Sequence, residues 1–304
     1  MRYFDAHMHV QFVAFDEDRE AVFARAREAG VGMNMVGTQQ DTSRAAVEMA
    51  HLLDADGQEY ADVYATVGLH PVHTAKSFHD EKELGEQGKA FTSRGEQFDF
   101  DVYKKLAEDP KVIAIGECGL DYYRLEEDTK KVQTEAFLAQ IELANTLKKP
   151  LMLHIRNGAK SAGVADTLAR HHDGVAQHDG GSDAYLDALA LVKQHAQVQG
   201  DVHFFAGSWD IARQFLDLGF YLSFTGVVTF THDYDEVVRN TPLDRLLSET
   251  DAPYVTPVPH RGRKNEPAYI PDIVRALARI KQVDEEVLRE QLLKNTQAFF
   301  GISV

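Results

Sequence analysis

The feature that most restricts the fold of this chain is the alternation of short apolar runs with longer amphipathic segments along its length. Eight runs rich in β-branched and aromatic residues have the length and composition of strands: Tyr3 to His9, Val31 to Gly37, Val63 to Leu69, Val112 to Gly116, Pro150 to His154, Val202 to Phe205, Phe220 to Phe224 and Leu246 to Thr250. Helical patterns lie at Asp18 to Ala29, Asp41 to Asp54, Thr129 to Lys148, Ser208 to Leu218, Asp233 to Asn240, Pro267 to Lys281 and Asp284 to Phe299. The alternation indicates an α/β protein with a parallel sheet, and eight such units close a (β/α)8 TIM barrel.

An open, doubly wound sheet shows the same alternation, so the turn after the first strand has to separate the two folds. Doubly wound nucleotide-binding domains usually carry a glycine-rich phosphate turn there. In this chain the first strand ends in Ala6-His7-Met8-His9-Val10, and neither GxGxxG nor GxxxxGK[ST] follows it. The sequence therefore favours the barrel.

Two segments interrupt the alternation. Residues 76–101 are polar and contain glycine, and residues 171–183 are rich in His, Asp and Gly. Neither is long or biased enough to link independent domains, and both follow predicted strands on the side where barrel active-site loops lie. Because a barrel takes about 250 residues as one domain, we expect residues 1–304 to form a single domain with two loop insertions, the second of them a lid.

Composition excludes several classes of protein. The chain is 44% hydrophobic, which is enough for a large core and rules out general disorder. It has 32 Lys and Arg against 48 Asp and Glu, a net charge of −16 that argues against extended, sequence-independent coating of nucleic acid. The single cysteine, Cys118, cannot form an intrachain disulfide. No segment resembles an apolar leader or reaches the roughly 18 apolar residues of a membrane span, so we expect a cytoplasmic protein without a membrane partner or an obligate protein partner.

The end of the first predicted strand carries a pair of histidines. His7 and His9 are two residues apart, and such residues in a strand point to the same face. Both imidazoles would then project into the barrel interior, with Asp5 on the same face to accept the second N–H of one ring. An HxH pair alone is short and often accidental, so a metal site depends on what lies at the other strand ends.

Metal-binding side chains also occur at the ends of other predicted strands: Glu117 after the fourth, His154 in the fifth, His203 in the sixth and Asp251 after the eighth. A barrel brings the carboxyl ends of its strands to one rim, so these residues and the histidine pair would converge. Four imidazoles and two carboxylates suit two divalent ions better than one tetrahedral ion. Glu117 is the natural bridge, because a carboxylate offers two oxygens whereas an imidazole offers one free nitrogen.

Such a site suits hydrolysis, since two ions can activate water and stabilise the charge that develops on a phosphoryl group. Asp251, next to the bound water, is a candidate general base, with simple ligation as an equal alternative. His70, in the Gly-Leu-His-Pro turn after the third strand, either donates to a phosphate oxygen or leaving group, or is held in the turn by Pro71. Cys118 has no base to pair with, so we expect a buried thiol rather than a nucleophile.

Basic side chains near the predicted rim are candidates for substrate binding. Arg156 lies two residues after His154 and either holds a phosphate oxygen or pairs with Glu249 or Asp121 to orient the ligands. The one compact basic stretch includes Arg261, Arg263 and Lys264 and follows the Asp251 segment by a few residues, as expected of a clamp for a phosphate chain.

The residues at these strand ends resemble the signature segments of the TatD family of metal-dependent hydrolases. The matching segments, in the family's order, are Asp5-Ala6-His7-Met8-His9, Gly68-Leu69-His70-Pro71, Gly116-Glu117-Cys118-Gly119-Leu120-Asp121-Tyr122-Tyr123, His154-Ile155-Arg156, His203-Phe204-Phe205-Ala206-Gly207-Ser208, Glu249-Thr250-Asp251-Ala252-Pro253-Tyr254 and Arg263-Lys264-Asn265-Glu266-Pro267. The resemblance implies a TIM barrel with two divalent ions that hydrolyses phosphodiester bonds of DNA.

The resemblance also implies a distribution of the ligands. It assigns His7, His9, Glu117 and Asp251 to one ion, and Glu117, His154 and His203 to the other. The substrate implied is DNA, at its ends or in single strands, and the ions are Zn, Mn or Mg, which this donor set does not separate. Two divalent cations and the nearby basic stretch would give the rim a local potential opposite in sign to the net charge of the chain.

Two other functions remain open from the sequence. One is an amidohydrolase-like metallohydrolase that cleaves a non-nucleic-acid ester, lactone or amide. Many such enzymes bridge their metals with a carbamylated lysine on the fourth strand, where this chain has Glu117, so the nuclease is favoured. The other is a binding scaffold without catalysis, which the intact ligand set at the strand ends argues against.

Overall fold

The computed structural model describes residues 2–55, 62–76, 78–79, 91–123, 127–158 and 183–303. Eight strands form one parallel sheet in chain order, and they are β1 (Tyr3–Met8), β2 (Val31–Val36), β3 (Val63–Val67), β4 (Val112–Asp121), β5 (Leu151–Arg156), β6 (Gly200–Val202), β7 (Tyr221–Phe224) and β8 (Leu246–Ser248). This is the predicted (β/α)8 barrel. All eight overlap a predicted strand run, since short apolar or aromatic runs separated by polar segments are typical of strands buried in a sheet.

Nine α-helices lie in the described part of the chain: α1 (Arg19–Ala29), α2 (Gln40–Ala55), α3 (Phe100–Ala107), α4 (Glu127–Leu147), α5 (Ala184–His195), α6 (Trp209–Asp217), α7 (Asp235–Asn240), α8 (Ile270–Lys281) and α9 (Glu285–Phe300). Asp284 caps α9, because its carboxylate accepts from the backbone N–H groups of Glu286 and Val287. The structure adds α3 and α5, which follow the two irregular segments and were not among the predicted helices. None of the helices in these ranges has both the length and the apolar character needed to cross a bilayer.

The bounds of all eight strands differ from the prediction by at least one residue, and the differences at β4, β6 and β8 bear on the site. The prediction ended β4 at Gly116, whereas the strand continues to Asp121 because its register against β5 shifts between Ile115 and Cys118 and pairing then resumes. Strand β6 ends at Val202 instead of Phe205, since Phe204 has a φ of 43° that no strand accommodates. Strand β8 stops at Ser248, before the predicted Thr250.

The barrel is closed between its first and last strands by residues just beyond β8. The Asp251 N–H donates to the His7 carbonyl at 2.9 Å, and the His9 N–H donates to the Ala252 carbonyl at 2.8 Å. Asp5 also contributes to this closing contact between β1 and the residues after β8, which we call the seam. Its carboxylate accepts from the Thr250 N–H at 2.9 Å and from the Thr250 hydroxyl. The expectation that Asp5 supports an imidazole was therefore wrong. The β1 register shifts between Asp5 and Met8, and the carboxylate binds the seam instead.

The main core lies between the sheet and the helices and includes fully buried aromatic rings such as Phe137 on α4 and Phe215 on α6. A second apolar cluster joins Phe4, Met152 and Leu247 from strands on different sides of the ring to Phe300 at the end of α9. Each fully buried ring of this size contributes about 1.5–3 kcal/mol through removal of apolar surface from water. Polar ligands are therefore held on a framework stabilised by apolar packing.

Only parts of the two predicted insertions lie within the described residues. In the first, Phe78–His79 pairs antiparallel with Phe91–Thr92. In the second, Asp183 caps α5 by accepting from the N–H groups of Tyr185 and Leu186. Residues 80–90 and 159–182 lie outside the described ranges, and with them all of the lid expected at 171–183 except Asp183.

Candidate metal centre at the carboxyl rim

The carboxyl ends of five strands bring the six predicted ligands together. His7 lies in β1, Glu117 in β4 and His154 in β5. The other three, His9, His203 and Asp251, lie within one to three residues of the ends of β1, β6 and β8. All except His154 are buried, and His154 is partly buried. Strand ends separated by more than 200 residues in sequence thus form one pocket, as the barrel topology predicts.

One oxygen of Glu117 faces the histidine pair of β1. Glu117 Oε2 lies 3.5 Å from His7 Nε2 and 3.7 Å from His9 Nε2, and the two ring nitrogens are 3.2 Å apart. Asp251 closes this group, with its Oδ1 3.5 Å from His9 Nε2 and 4.0 Å from His7 Nε2. The prediction that His7 and His9 share one face is confirmed.

The other oxygen of Glu117 faces a second group of imidazoles. Glu117 Oε1 lies 3.0 Å from His154 Nδ1, 3.0 Å from His203 Nε2 and 3.3 Å from His70 Nε2. The Glu117 carboxylate thus lies between two separate sets of nitrogen donors, one at each oxygen. Sequence reasoning placed His154 and His203 here but did not count His70 among the ligands.

Among the described residues, three sets of side chains have ligand atoms within 4.8 Å of one another: His7, His9 and Glu117; His7, His203 and Asp251; and His70, Glu117 and His154. Glu117 belongs to two of these sets, which is what a bridging carboxylate requires. The Nε2 atoms of His7 and His9 face each other at 3.2 Å, and two lone pairs at this distance would repel unless a proton lay between them. A cation bound by both nitrogens would use both lone pairs. The donor set therefore fits divalent metal ions, and mixed imidazole and carboxylate ligation suits zinc and similar transition metals.

Hydrogen bonds behind the cluster fix which ring nitrogen faces it. His9 Nδ1 donates to the Val36 carbonyl at 2.7 Å, which leaves the Nε2 lone pair directed at the pocket. His154 uses Nε2 for the Asp121 carboxylate at 3.0 Å and presents Nδ1 to Glu117. Asp121, from the segment that follows Glu117 in sequence, is thus an orienting group that the sequence considered only as a partner of Arg156.

His70 is oriented in the opposite sense. Its Nδ1 accepts from the Val72 N–H at 3.2 Å, so the proton of the neutral ring lies on Nε2 and points at Glu117 Oε1. Burial, aided by the charge of His154, lowers the pKa of His70 to about 4, so the ring is neutral near pH 7. Its ring centroid lies 4.1 Å from that of His154. His70 is therefore a neutral N–H donor that faces Glu117.

The charges of the cluster shift the pKa values of its members. Burial alone would raise the pKa of Glu117, but His70, His203 and His7 outweigh it and hold the pKa well below its usual range. Asp251 behaves in the same way, with burial opposed chiefly by the neighbouring imidazoles, first of all His9, and its pKa lowered. Both carboxylates are therefore ionised at neutral pH and able to bind cations.

His154 and His203, which face the second oxygen of Glu117, bind protons more strongly than an exposed imidazole. Burial opposes this, but the Glu117 and Glu249 carboxylates raise the pKa of His203 well above its usual value. For His154, burial is likewise outweighed by hydrogen bonds to Asp121 and Glu117, and its pKa is raised. Without metal, this side of the cluster holds protons that a cation has to displace.

A buried carboxylate that the sequence did not place in the site lies behind His203. Glu249 Oε1 accepts from the Phe204 N–H at 2.6 Å and is 3.5 Å from His203 Nδ1, and its Oε2 is 2.8 Å from the Ser223 hydroxyl. That hydroxyl is also 2.6 Å from Asp201 Oδ2. One hydroxyl proton serves only one carboxylate, so one carboxyl group holds a proton, and burial together with the Glu249 charge raises the pKa of Asp201 to about 8. The signal in the sequence was Asp201 itself, a charged residue two positions before His203 in an apolar strand.

Asp251 is held by its backbone as well as by its side chain. Its φ of 54° lies in the left-handed region, which costs a non-glycine residue about 1 kcal/mol or more. The hydrogen bond from its N–H to His7 and the one from the Tyr254 N–H to its carbonyl, both 2.9 Å, maintain this conformation. Such strain is typical of positions where the direction of a side chain matters.

Arg156 does not form the ion pairs considered for it. Its guanidinium carbon lies 3.8 Å from the centroid of the Tyr123 ring, and no ion pair joins it to Asp121 or Glu249 among the described contacts. It still acts on Asp121 at longer range, since its charge adds to the His154 hydrogen bond in lowering the pKa of that carboxyl to about 2 against the effect of burial. The neighbouring Tyr122 is buried and donates to Asp187 at 2.9 Å.

The basic loop, residues 260–264, does not present all its charges to solvent. Lys264 donates to the Ala14 carbonyl at 2.9 Å and to the Asp18 carboxylate, and its ammonium lies 4.3 Å from the Phe15 ring. Lys264 thus ties this loop to the turn after β1. Arg261 and Arg263 are exposed. The Cys118 thiol is buried and burial raises its pKa, in agreement with the expectation that it is not a nucleophile.

A parallel eight-stranded barrel with a histidine and carboxylate cluster at its carboxyl rim is the architecture of a metal-dependent hydrolase. The model of the TatD related DNase family matches residues 4–301, and the chain belongs to this family. The resemblance of the strand-end segments is thereby confirmed.

Relatives and solved structures agree with this assignment. The chain is 32% identical to a metal-dependent hydrolase named YabD of Bacillus subtilis, over 99% of each chain. It is 33% identical to the 3′-5′ ssDNA/RNA exonuclease TatD of Klebsiella pneumoniae, over 99% of this chain and 98% of the relative. The fold matches the crystal structure of the TatD homologue YJJV of Escherichia coli with a TM-score of 0.71 at 24% identity, over 99% of each chain. It also matches a TatD family hydrolase of Entamoeba histolytica with a TM-score of 0.74 at 21% identity, over 99% of this chain and 98% of the other.

Proposed function

We propose that this protein is a metal-dependent deoxyribonuclease that hydrolyses phosphodiester bonds at the ends of DNA or in single strands. The observation that carries the proposal is the position of Glu117, one oxygen of which faces His7 and His9 while the other faces His154 and His203. A bridged pair of cations is a recurring means of stabilising both the attacking and the leaving oxygen of a phosphoryl group. The name of the Klebsiella pneumoniae relative supports a nucleic acid as substrate.

In this proposal two divalent ions, Zn, Mn or Mg, share the cluster. His7, His9, Glu117 and Asp251 would hold one ion. Glu117, His154 and His203 would hold the other, and His70 lies close to the same side of Glu117. When bound, the ions supply Lewis-acid polarisation of a phosphoryl oxygen and lower the pKa of water.

Asp251 and His70 have complementary roles with protons. The Asp251 carboxylate is ionised and is the least buried of the cluster carboxylates, so it accepts a proton from an attacking water at the mouth of the pocket. His70 carries its proton on Nε2 and donates a hydrogen bond to a nonbridging phosphate oxygen or to the leaving oxygen. The two residues act from different strand ends, on opposite sides of Glu117.

Three arginines are the proposed contacts for the phosphate chain. The Arg156 guanidinium stacks on Tyr123 by its face and so keeps N–H groups at its edge for a phosphate. Arg261 and Arg263 are exposed on the basic loop. Lys264, which the sequence also suggested as a phosphate contact, is assigned to anchoring this loop instead. Its ammonium already has the Asp18 carboxylate and the Ala14 carbonyl as partners.

The test is cleavage of labelled single-stranded and duplex DNA by chelator-treated protein to which Mg²⁺, Mn²⁺ or Zn²⁺ is returned. We expect metal-dependent cleavage with single strands preferred, and a loss of about 10²–10³-fold in the Asp251→Asn variant, since a base contributes up to about 10⁴-fold. Asp244→Asn is the matched control, because Asp244 is exposed and forms a surface ion pair with Arg245 next to it.

The outcomes separate the proposal from the alternative. Stoichiometric metal with no cleavage of DNA, but hydrolysis of a lactone, amide or non-nucleotide ester, would replace the nuclease by the amidohydrolase-like function. DNA cleavage that Asp251→Asn leaves unchanged would remove the assigned role of Asp251.

A further inference from the structure

An exposed aromatic ring under a guanidinium group lies outside the metal centre. Phe230 is 44% exposed, and the guanidinium carbon of Arg261 lies 4.2 Å from its ring centroid. Val258, also exposed at 45%, lies close by, since its N–H donates to the hydroxyl of Thr229 at 2.8 Å. The mechanism of hydrolysis uses neither apolar side chain.

Phe230 and Arg261 come from two loops of the same rim. Phe230 ends the 3-10 turn Gly226–Thr229 that follows β7, and Arg261 lies in the loop after β8, ten residues beyond Asp251. Both loops leave the carboxyl ends of their strands, as do all the candidate metal ligands. The aromatic ring therefore lies on the side of the barrel where the substrate is processed.

The two loops are packed tightly against each other. A side chain at Gly226 would come within 2.3 Å of the Val255 carbonyl oxygen, so only glycine permits this approach. The Arg261 guanidinium also donates to the Thr256 carbonyl at 2.9 Å, which fixes its position over the ring. The exposed ring is thus held by a rigid support and loses little conformational entropy when it binds a flat group.

An exposed aromatic face beside arginine matches the chemistry of a single-stranded nucleic acid. Bases stack on aromatic rings and on guanidinium planes, and arginine pairs with the phosphate that follows. A protein partner fits less well, because Phe230 and Val258, the exposed apolar pair described at this place, are far fewer than the 20–30 residues that each side of a stable interface contributes. In a duplex the bases are already stacked and their faces are not accessible.

We propose that Phe230, with Arg261, is a base-stacking site that binds one unpaired base of a single strand whose phosphate chain runs to the metal centre. The inference rests on the proposed function and deepens it, because it explains a preference for single strands over duplex. Phe230 is then a residue for affinity and strand selection, and it takes no part in the proton transfers.

The test is binding, measured without hydrolysis. Chelator-treated protein is titrated at low salt into a labelled ten-nucleotide DNA strand containing 2-aminopurine, with fluorescence anisotropy for affinity and 2-aminopurine quenching for stacking. We expect Phe230→Ala to weaken binding about tenfold and to abolish the quenching, whereas Phe230→Trp retains both. Leu52→Ala removes an exposed apolar side chain of α2 and is the control expected to change neither.

A strand of the same length without bases identifies the interaction. If Phe230 stacks on a base, wild type and Phe230→Ala bind this abasic strand equally, within about twofold. Equal affinity of the two proteins for the normal strand overturns the proposal, as does an equal loss on the abasic strand or the absence of binding by wild type. A change of oligomeric state in Phe230→Ala with unchanged DNA binding assigns the ring to a contact between copies, and also overturns it.

Failure of the stacking site and failure of the proposed function give different results. If metal-loaded protein cleaves DNA while Phe230→Ala behaves as wild type in both assays, only the stacking site fails. If metal-loaded protein cleaves no DNA, the proposed function fails whatever the stacking measurements give.

Discussion

The metal centre and the basic loop lie on the same rim, and both were predicted from sequence, yet they differ in how their side chains are held. In the metal centre the Glu117 carboxylate is surrounded by imidazoles at 3.0–3.7 Å, and hydrogen bonds from behind fix the rings. In the basic loop Lys264 is bound to Asp18, while Arg261 lies over Phe230. Strand ends direct side chains to one place, whereas in a loop the partner of each charge depends on local packing that spacing does not reveal.

The largest effect is expected from Glu117→Gln. The amide keeps the shape of the side chain but removes the charge that both groups of imidazoles face. Loss of a bridging ligand should cost several kcal/mol of transition-state stabilisation, so we expect cleavage to fall about 10³-fold, together with loss of bound metal. Glu286→Gln is the control, because Glu286 is an exposed residue of α9 paired with Arg289. Normal metal content and cleavage in Glu117→Gln would contradict the assigned bridge.

The next effect is expected at an orienting residue. Asp121→Asn keeps a hydrogen bond to His154 possible but removes the charge that favours the correct ring position, and metal affinity should fall about 10- to 100-fold. Asp109→Asn is the matched control. Asp109 lies outside the site, and its carboxylate is 2.8 Å from His51 Nε2, a contact similar to that between Asp121 and His154. Equal metal affinities of the two variants, measured by competition with a chelating dye, would show that Asp121 does not support the centre.

Metal affinity should also depend on pH. The pKa values of His154 and His203 are raised in the metal-free protein, so both rings remain protonated above pH 6.5, and a cation binds only after these protons leave. Affinity should therefore rise with pH through and above 6.5, whereas ordinary histidines would give a plateau there. Calorimetric titrations between pH 6 and 9 in buffers of different ionisation enthalpy would count the released protons. A metal affinity that does not change between pH 6 and 9 would show that His154 and His203 are not protonated in the metal-free protein.

The smallest effects are expected in the basic loop, where Arg263 should affect substrate binding and Lys264 should affect stability. Arg263→Ala should raise KM for DNA a few-fold at low salt, with kcat unchanged and the difference reduced by added salt. Lys264→Ala should leave KM nearly unchanged and lower the free energy of unfolding by about 1 kcal/mol, since its ion pair with Asp18 is partly exposed. Denaturant unfolding and steady-state kinetics on both variants measure this division. The opposite division would make Lys264 the phosphate contact.

The sequence predicted the fold and the convergence of the candidate ligands because both depend on strand ends. Alternating apolar runs define β1 to β8, and topology then brings His7 and Asp251 together without knowledge of any loop. It failed for Asp5, whose direction depends on a register shift in β1, and for β4, whose extension to Asp121 depends on pairing with β5. It also missed the environment of Glu249, because the contacts of Glu249 with Ser223 and of Ser223 with Asp201 join the ends of three neighbouring strands and leave no pattern along the chain.

The central claim is that the cluster around Glu117 binds two divalent ions on which hydrolysis depends. The most direct test is to dialyse chelator-treated protein against increasing Mn²⁺ or Zn²⁺, and to measure bound metal and single-strand cleavage in the same samples. The account predicts two ions per chain, with cleavage appearing as the second ion binds and both lost in Glu117→Gln. Full cleavage by metal-free protein, or uptake of two ions by Glu117→Gln equal to that of wild type, would contradict it.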